Sequence, residues 1–241
     1  MFHKLVIIPT YNEILNIEKL IRNIFSQPVN FEILVVDDSS PDGTWSLIQE
    51  LKSEFPDRLY LEVRPEKNGL GKAYLHGFRW ALKRDYDYIF EMDADFSHNP
   101  NDLIRLYNSC RKNGFDMSIG SRYIKGVNVV NWPMKRILLS WLASKYVKVI
   151  TGMPIEDTTA GFICYHRKVL ESIHLEKIKF VGYAFQIEMK FKAHQKGFKI
   201  KEIPVIFTDR TRGKSKMSSG IINEAVWGVI NLKFKSLLGK I

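Results

Sequence analysis

Asp93 and Asp95 stand on alternate residues where an apolar run ends, in "YDYIFEMDADFSH" (residues 86–98), with no lysine or arginine beside them in the chain. Alternate carboxylates at a strand end present hard oxygen donors to Mg²⁺ or Mn²⁺. These ions keep one or two protein carboxylates and fill their remaining positions with water and phosphate oxygens. The missing positive charge is then a metal carrying a diphosphate, and its chemistry is to stabilise charge on that diphosphate as it departs.

A second set suits a phosphate acceptor. In "NWPMKRILLSWLASKYVKVI" (131–150), Arg136 and Ser140 are four residues apart and share one helical face, with Trp132, Leu139 and Trp141 supplying apolar surface nearby. A phosphate monoester has a second pKa of about 6 and is mostly dianionic at neutral pH, so it attacks without a strong general base. It needs positive charge and orientation. The same segment also reads as an ordinary basic amphipathic helix. "FTDRTRGKSKMSSG" (207–220) carries four basic residues and two glycines and reads as a loop. Closing over a bound diphosphate, it would bring Arg210 and Lys216 to that charge and exclude water from a hydrolysable donor.

The elements that must position these groups alternate in type. "KLVIIPT", "FEILVVD", "LYLEV", "YDYIFEM" and "FDMSIGS" read as strands, with helical apolar spacing between them. Strands apolar on both faces and alternating with helices imply a mostly parallel sheet covered on both sides. Such sheets bind ligands at the carboxyl ends of their strands. Tyr11, Asn12, Glu13, Asp37, Asp38, Asp93, Asp95, Ser121 and Arg122 all fall there. Each acid alone could be a helix cap or turn former, the role expected of Asp42 and Asn101. Gly69, Gly71 and Gly77 fit neither the dinucleotide nor the P-loop spacing and read as a tight turn before a helix, with Lys72 near its start. Glu188 reads as structural, with an arginine as its one alternative partner; His76, His98 and His194 read as structural or exposed.

Taken together, "PTYNE" (9–13), "VVDDSSPDGT" (35–44), "MDADFSHNP" (92–100), "GSRY" (120–123) and "FTDRTRGKSK" (207–216) resemble the dolichyl-phosphate (polyprenyl-phosphate) mannosyltransferases of the family 2 glycosyltransferases. The likeness runs from residue 5 to about 217 with the motifs in family order, and "DTTAGFICY" (157–165) and "GYAFQIEM" (182–189) share it. It implies a GT-A-type, Rossmann-like fold over residues 1–217 with a C-terminal amphipathic segment over 218–241. It further implies inverting transfer of mannose from GDP-mannose to a polyprenyl or dolichyl phosphate, with Mg²⁺ or Mn²⁺, giving the β-linked lipid phosphosugar and GDP. By motif, Pro9, Tyr11, Glu13, Val36 and Asp38 correspond to the nucleoside pocket, and Asp93, Ala94 and Asp95 to the diphosphate and metal site. Arg122, Arg210 and Lys216 correspond to phosphate and sugar contacts, and Arg122 with Arg136 and Ser140 to the acceptor phosphate. Asp95, Arg122 and Arg136 are the expected catalytic residues. Some relatives place a glutamine where this chain has Ser97, leaving that ligand position to water. A UDP-glucose-dependent polyprenyl-phosphate glucosyltransferase and a non-enzymatic lipid-binding subunit are the rival readings.

Composition sets outer bounds. With 241 residues and 45% hydrophobic content the chain can bury a sizeable core. Cys110 and Cys164 form neither a disulfide framework nor a metal-ligand set and read as small core residues of a reducing compartment. The start "MFHK" lacks a secretory signal pattern, and no apolar segment reaches the roughly 18 residues that spanning demands. Of the 36 Lys and Arg, twelve lie from Lys190 onward, against three of the 26 acids. A basic tail suggests an anionic surface. The final "GIINEAVWGVINLKFKSLLGKI" mixes Ile221, Ile222, Val226, Val229, Ile230, Phe234, Leu237 and Leu238 with lysines, and either lies on a membrane or docks on the core. A nucleic-acid binder would need basic residues interleaved with exposed aromatics on a groove. The expectation is a peripheral protein on the cytoplasmic face of a membrane, touching it through the tail, the acceptor helix or small membrane-anchoring subunits.

Overall fold

The structure, a computed structural model, describes residues 2–182, 184–209 and 220–239, with the backbone alone for 220–226. The chain runs β1 (Lys4–Thr10), α1 (Ile17–Phe25), β2 (Glu32–Asp37), α2 (Thr44–Leu51), β3 (Leu59–Val63), α3 (Leu70–Leu82), β4 (Tyr88–Glu91), α4 (Asp102–Arg111) and β5 (Met117–Ser121). It continues through β6 (Val129–Val130), α5 (Met134–Thr151), β7 (Ile163–His166), α6 (Arg167–Ser172), α7 (Ala184–Gln195), β8 (Ile200–Pro204), β9 (Phe207–Thr208) and α8 (Gly220–Leu237).

Seven strands form one sheet in the order β3-β2-β1-β4-β7-β5-β8, and only β7 runs against its neighbours. Successive strand residues point to opposite faces. Leu5 and Ile7 therefore enter one core with Leu34, Val36, Phe78 and Phe185, while Val6 and Ile8 enter the other with Ile33, Val35, Leu20 and Leu103. Burial on both faces is why these strands read as unbroken apolar runs. Cys110 and Cys164 are buried and unbridged, as expected.

Register aligns the strand ends. Thr10 pairs with Asp37 and Ile7 with Glu91, so the segments leaving β1, β2 and β4 emerge together at one rim. The glycine expectation needs correction. Gly69 alone makes the turn, at φ +96°, whereas Gly71 and Gly77 lie inside α3. A Cβ on Gly77 would meet Ile7 Cγ2 at 2.7 Å, so glycine lets α3 sit directly on β1. Asp42 accepts from Thr44 N–H (3.0 Å) as a capping residue does. Asn101 stands in a turn at the N-cap position of α4, but its side chain accepts from Gln27 at 2.8 Å rather than from the helix.

Two features position the distal part of the rim. A small parallel pair, β6 with β9, lays Phe207–Thr208 beside the segment entering α5. Helices α5 and α8 pack on each other, with Lys233 donating to the Thr151 carbonyl at 3.1 Å. No helix of the described residues is long and apolar enough to cross a membrane.

Candidate active site

The D-x-D turn continues β4: the Met92 N–H still donates to the Ile7 carbonyl (3.2 Å), after which Phe96, at φ +61°, bends the chain. Asp93 is about one-third exposed, receives the Tyr74 hydroxyl at 3.4 Å, and donates its backbone N–H to His98 Nδ1 at 3.2 Å. The His98 ring is buried, stacked on Phe162 at 4.7 Å and edge-on to Phe207 at 5.6 Å. Burial pulls its pKa down to about 4, so it is neutral at pH 7, and accepting at Nδ1 places its proton on Nε2. Asp95 is nearly buried, its Oδ1 receiving the Ser97 N–H at 3.0 Å. Ala94, between them, is buried.

These residues fit a divalent cation. The donors are hard oxygens, and the Ser97 hydroxyl, next to Asp95, is buried without a hydrogen-bond partner among the described residues. No group of three or more His, Cys, Asp or Glu side chains among the described residues is placed to hold a metal ion. A two-carboxylate site that completes its shell with phosphate and water needs no such group.

On the β1–β2 side, Asp37 is fully buried and receives Thr10 Oγ1 (2.7 Å), Ser40 N (2.8 Å) and Ser40 Oγ (2.6 Å), which makes it a brace for the turn. Asp38 is gripped by Arg64 through two bonds of 2.6 and 2.8 Å. Asn12, at φ +57°, turns the chain between Tyr11 and Glu13, and Lys67 Nζ lies 4.5 Å from the Tyr11 ring centre. Glu13 accepts from Asn16 at 3.1 Å. Pro9 is half-buried. Val36 is fully buried, so its side chain belongs to the core rather than to an open nucleoside pocket.

Arg122, leaving β5, is held by a carboxylate that sequence reasoning did not single out. Asp157 Oδ2 receives Arg122 N (2.9 Å) and Nε (2.7 Å), and its Oδ1 receives Nη2 (2.6 Å), with Thr159 Oγ1 accepting a further bond at 2.8 Å. Burial alone would raise the Asp157 pKa, but the Arg122 charge and bonds overcome it and hold the carboxyl below its ordinary range. The loop bearing Asp157 is itself tied down. Glu202 receives the N–H groups of Glu156 (2.8 Å) and Asp157 (2.9 Å), and buried Lys190 donates to the carbonyls of Thr158 (3.1 Å) and Ala160 (2.5 Å). Burial lowers the Lys190 pKa to about 8, against the opposing charges of Asp157 and Glu91. Glu91 lies in the same interior, bonded to Tyr165 at 2.8 Å and to Gln186.

Trp132 joins the two halves. Its ring lies 5.3 Å from the Arg122 guanidinium, 4.0 Å from that of Arg136, and 5.2 Å from Phe207, which also contacts His98. Arg136 donates to both Asp209 oxygens at 3.0 Å. Ser140, one turn along α5, lies beside Tyr123. The structure thus brings Asp93, Asp95, Arg122 and Arg136 into one neighbourhood. Arg210 and Lys216 lie outside the described residues. Glu188 binds Lys192 (3.1 Å) and the N–H groups of Lys179 (2.9 Å) and Phe180 (3.2 Å), so it is structural and orients no arginine among the described residues. The only advance signs of Arg64, Asp157 and Lys190 were an isolated basic residue after β3, the motif "DTTAGF", and a lysine within an apolar stretch.

Comparison with known proteins places this arrangement. Residues 5–173 match the family described as glycosyl transferase family 2, and the chain belongs to that family. It is 46% identical to a polyprenol monophosphomannose synthase of Mycolicibacterium smegmatis, over 93% of this chain and 86% of that one. It is 42% identical to an undecaprenyl-phosphate mannosyltransferase of Micrococcus luteus, over 93% of each. A solved mannosyltransferase from Pyrobaculum calidifontis, in complex with GDP-Man and Mn²⁺, shares the fold at a TM-score of 0.63 and 18% identity, covering 98% of this chain and 64% of the other. The α/β architecture with a mostly parallel central sheet is that of the GT-A fold.

Proposed function

We propose that this chain transfers mannose from GDP-mannose to the phosphate of a polyprenyl or dolichyl lipid, inverting the anomeric centre to give the β-linked lipid phosphosugar and GDP. The observation that carries the reading is one rim holding an acidic D-x-D turn and two arginines, the second arginine at the start of a helix whose apolar side chains face outward. Met134, Leu138, Leu139 and Leu142 of α5 are all exposed, as a lipid-borne substrate requires of the surface it approaches. The names of relatives sharing 42–46% identity over nearly the whole chain support mannose and a polyprenyl phosphate.

Asp93 and Asp95 are the residues to hold Mg²⁺ or Mn²⁺, and the bound ion supplies positive charge that stabilises the leaving diphosphate. Tyr11, Glu13 and Asp38 bind the nucleoside, beside the paired strand residues Pro9 and Val36; Arg210 and Lys216 contact the diphosphate and sugar. Arg122 and Arg136, with Ser140, orient the acceptor phosphate and screen its charge from that of the donor. The acceptor oxygen carries no proton at neutral pH, so none of these residues acts as a general base. The apolar side chains of α5 and α8 lie against the membrane, at its cytoplasmic face, where small anchoring subunits are candidate partners.

The test supplies purified protein with labelled GDP-mannose or UDP-glucose, Mn²⁺ or Mg²⁺, and a polyprenyl phosphate. Label should pass from GDP-mannose into an acid-labile lipid product. Transfer only from UDP-glucose would refute the donor, and absence of lipid product with either would refute the function.

A further inference from the structure

On the side of α8 turned from α5 lies a groove of about 670 Å³, bounded by α8, the second half of α7 and the segment 174–180. It takes no part in the D-x-D rim. Phe180 packs against α8 at Gly228, where a Cβ would come within 2.5 Å of the ring, so the helix reaches this position only with glycine there. This approach lines the groove with Lys177, Lys179, Lys192, Lys196 and Lys235. The two carboxylates present are already engaged: buried Glu188 with Lys192 (3.1 Å), and Glu176 with His174 (3.1 Å). Among the described residues, Lys177, Lys179, Lys196 and Lys235 have no carboxylate within salt-bridge distance. Lys179 and Lys235 line the groove together, and the Lys179 ammonium, with burial as a lesser cause and the Glu188 charge opposing, lowers the Lys235 pKa. Five lysines gathered in one groove, against two carboxylates that are already paired, are an arrangement that an anion relieves.

The adjoining strip of α8 indicates which anion. Trp227, Ile230, Phe234, Leu237 and Leu238 are exposed along the edge of the groove. A free phosphate has no use for such a strip, whereas a phospholipid presents a phosphate at the depth where apolar side chains enter the acyl boundary. We propose that this groove binds the phosphate headgroup of an anionic phospholipid while the strip beside it enters the bilayer. The inference rests on the reading that the chain works at a membrane.

The experiment compares full-length protein with vesicles of phosphatidylcholine alone and of phosphatidylcholine mixed with phosphatidylglycerol. Sedimentation gives the partition, and amine labelling read by mass spectrometry gives the protected lysines. The expected result is tighter binding to the anionic vesicles, with Lys179 and Lys235 protected ahead of exposed Lys135 on α5. The double variant Lys179→Ala/Lys235→Ala should lose about thirty-fold in that binding, as two lysines near an anionic surface would. It should keep its transfer rate on detergent-dispersed acceptor, since neither lysine belongs to the donor or acceptor site. Equal binding to both vesicle types, unchanged binding of the variant, or protection of Lys135 equal to that of the groove lysines would overturn the site and leave the membrane reading standing. No binding to either vesicle would overturn both. Protection of Lys179 and Lys235 by millimolar inorganic phosphate as complete as by vesicles would make the ligand a soluble anion and overturn the headgroup assignment.

Discussion

Among the described residues, the rim around Asp93, Asp95 and Arg122 is braced by buried partners, whereas the face shared by α5 and α8 turns apolar side chains outward. At the rim, His98 braces the D-x-D backbone, Asp157 clamps Arg122, and Arg64 grips Asp38, each through bonds of 2.6–3.2 Å between buried or nearly buried groups. Electrostatic catalysis needs this preorganisation, because fixed charges need no rearrangement when charge develops on the substrate. Helix α5 does the opposite. It buries Ser144, Val147 and Thr151 and exposes Met134, Leu138, Leu139, Leu142 and Val149. Apolar side chains gathered outward on one helix mark a surface of contact, with a membrane or with another protein. On the proposed reading one region carries the chemistry and the other the location, and substitutions should separate the two.

The largest effects belong to the rim. Asp95→Asn should leave the fold intact and lower mannosyl transfer by more than about 100-fold, beyond the 10–100-fold typical of residues that merely support a metal ligand. Calorimetric titration with Mn²⁺ should show the binding weakened in parallel; normal metal-dependent turnover would dismiss the D-x-D as the metal site. Asp157→Ala removes the buried carboxylate that clamps the Arg122 guanidinium, and urea unfolding should register a loss of about 3–5 kcal/mol. The double variant Arg122→Met/Asp157→Leu should recover most of that stability without recovering transfer. Recovered transfer would mean that Arg122 serves only the fold.

Much of this rim could be read in advance, because a parallel sheet buried on both faces must write its strands as apolar runs and deliver the polar residues beyond them to one edge. The α/β class, the positions of Asp93, Asp95 and Arg122, and the helix carrying Arg136 and Ser140 were legible for that reason. Their partners were not. Arg64 meets Asp38 across 26 residues and Asp157 meets Arg122 across 35, and neither spacing arises from any local period. Strand β7 escaped for another reason: four residues running against the rest of the sheet leave too short a pattern. The orientation of α5 was hidden too, since a basic amphipathic helix has the same composition whether its apolar side faces inward or out.

The buried lysine gives an intermediate effect and a pH dependence of definite sign. Lys190 has a folded pKa of about 8 against an ordinary 10.5. Between those limits the unfolded chain binds more protons at this site, so the contribution of Lys190 to stability rises with pH from about 8 to 10.5. Its charged form is the costly one. Relative to wild type, Lys190→Met should therefore be most advantageous or least harmful at pH 7–8 and should lose up to about 3 kcal/mol of that relative standing by pH 10. Urea unfolding of both proteins at pH 7.5 and pH 10 measures the difference. A difference independent of pH would show that Lys190 titrates near its ordinary value and that the Thr158–Ala160 loop is not tied down by a strained charge.

The smallest effect on stability is the sharpest test of the division between the two regions, because α8 carries both in one helix. Val229 and Leu232 point into the core, while Phe234, two residues beyond Leu232, is 61% exposed. Leu232→Ala deletes buried methyl groups and should cost about 2–5 kcal/mol, whatever the protein does at a membrane. Phe234→Ser removes a larger apolar group, yet one that water already reaches in the isolated chain, so the change should stay within about 0.5 kcal/mol. With phosphatidylcholine vesicles the order should reverse. Phe234→Ser should weaken partition markedly, since the aromatic surface it removes is surface that the bilayer would bury, while folded Leu232→Ala should partition as wild type. A Phe234→Ser variant destabilised by 2 kcal/mol or more in solution (roughly the cost of losing a buried side chain) would mean that this side of α8 docks on protein, and the proposed line between a chemical rim and a locating face would have to be drawn elsewhere.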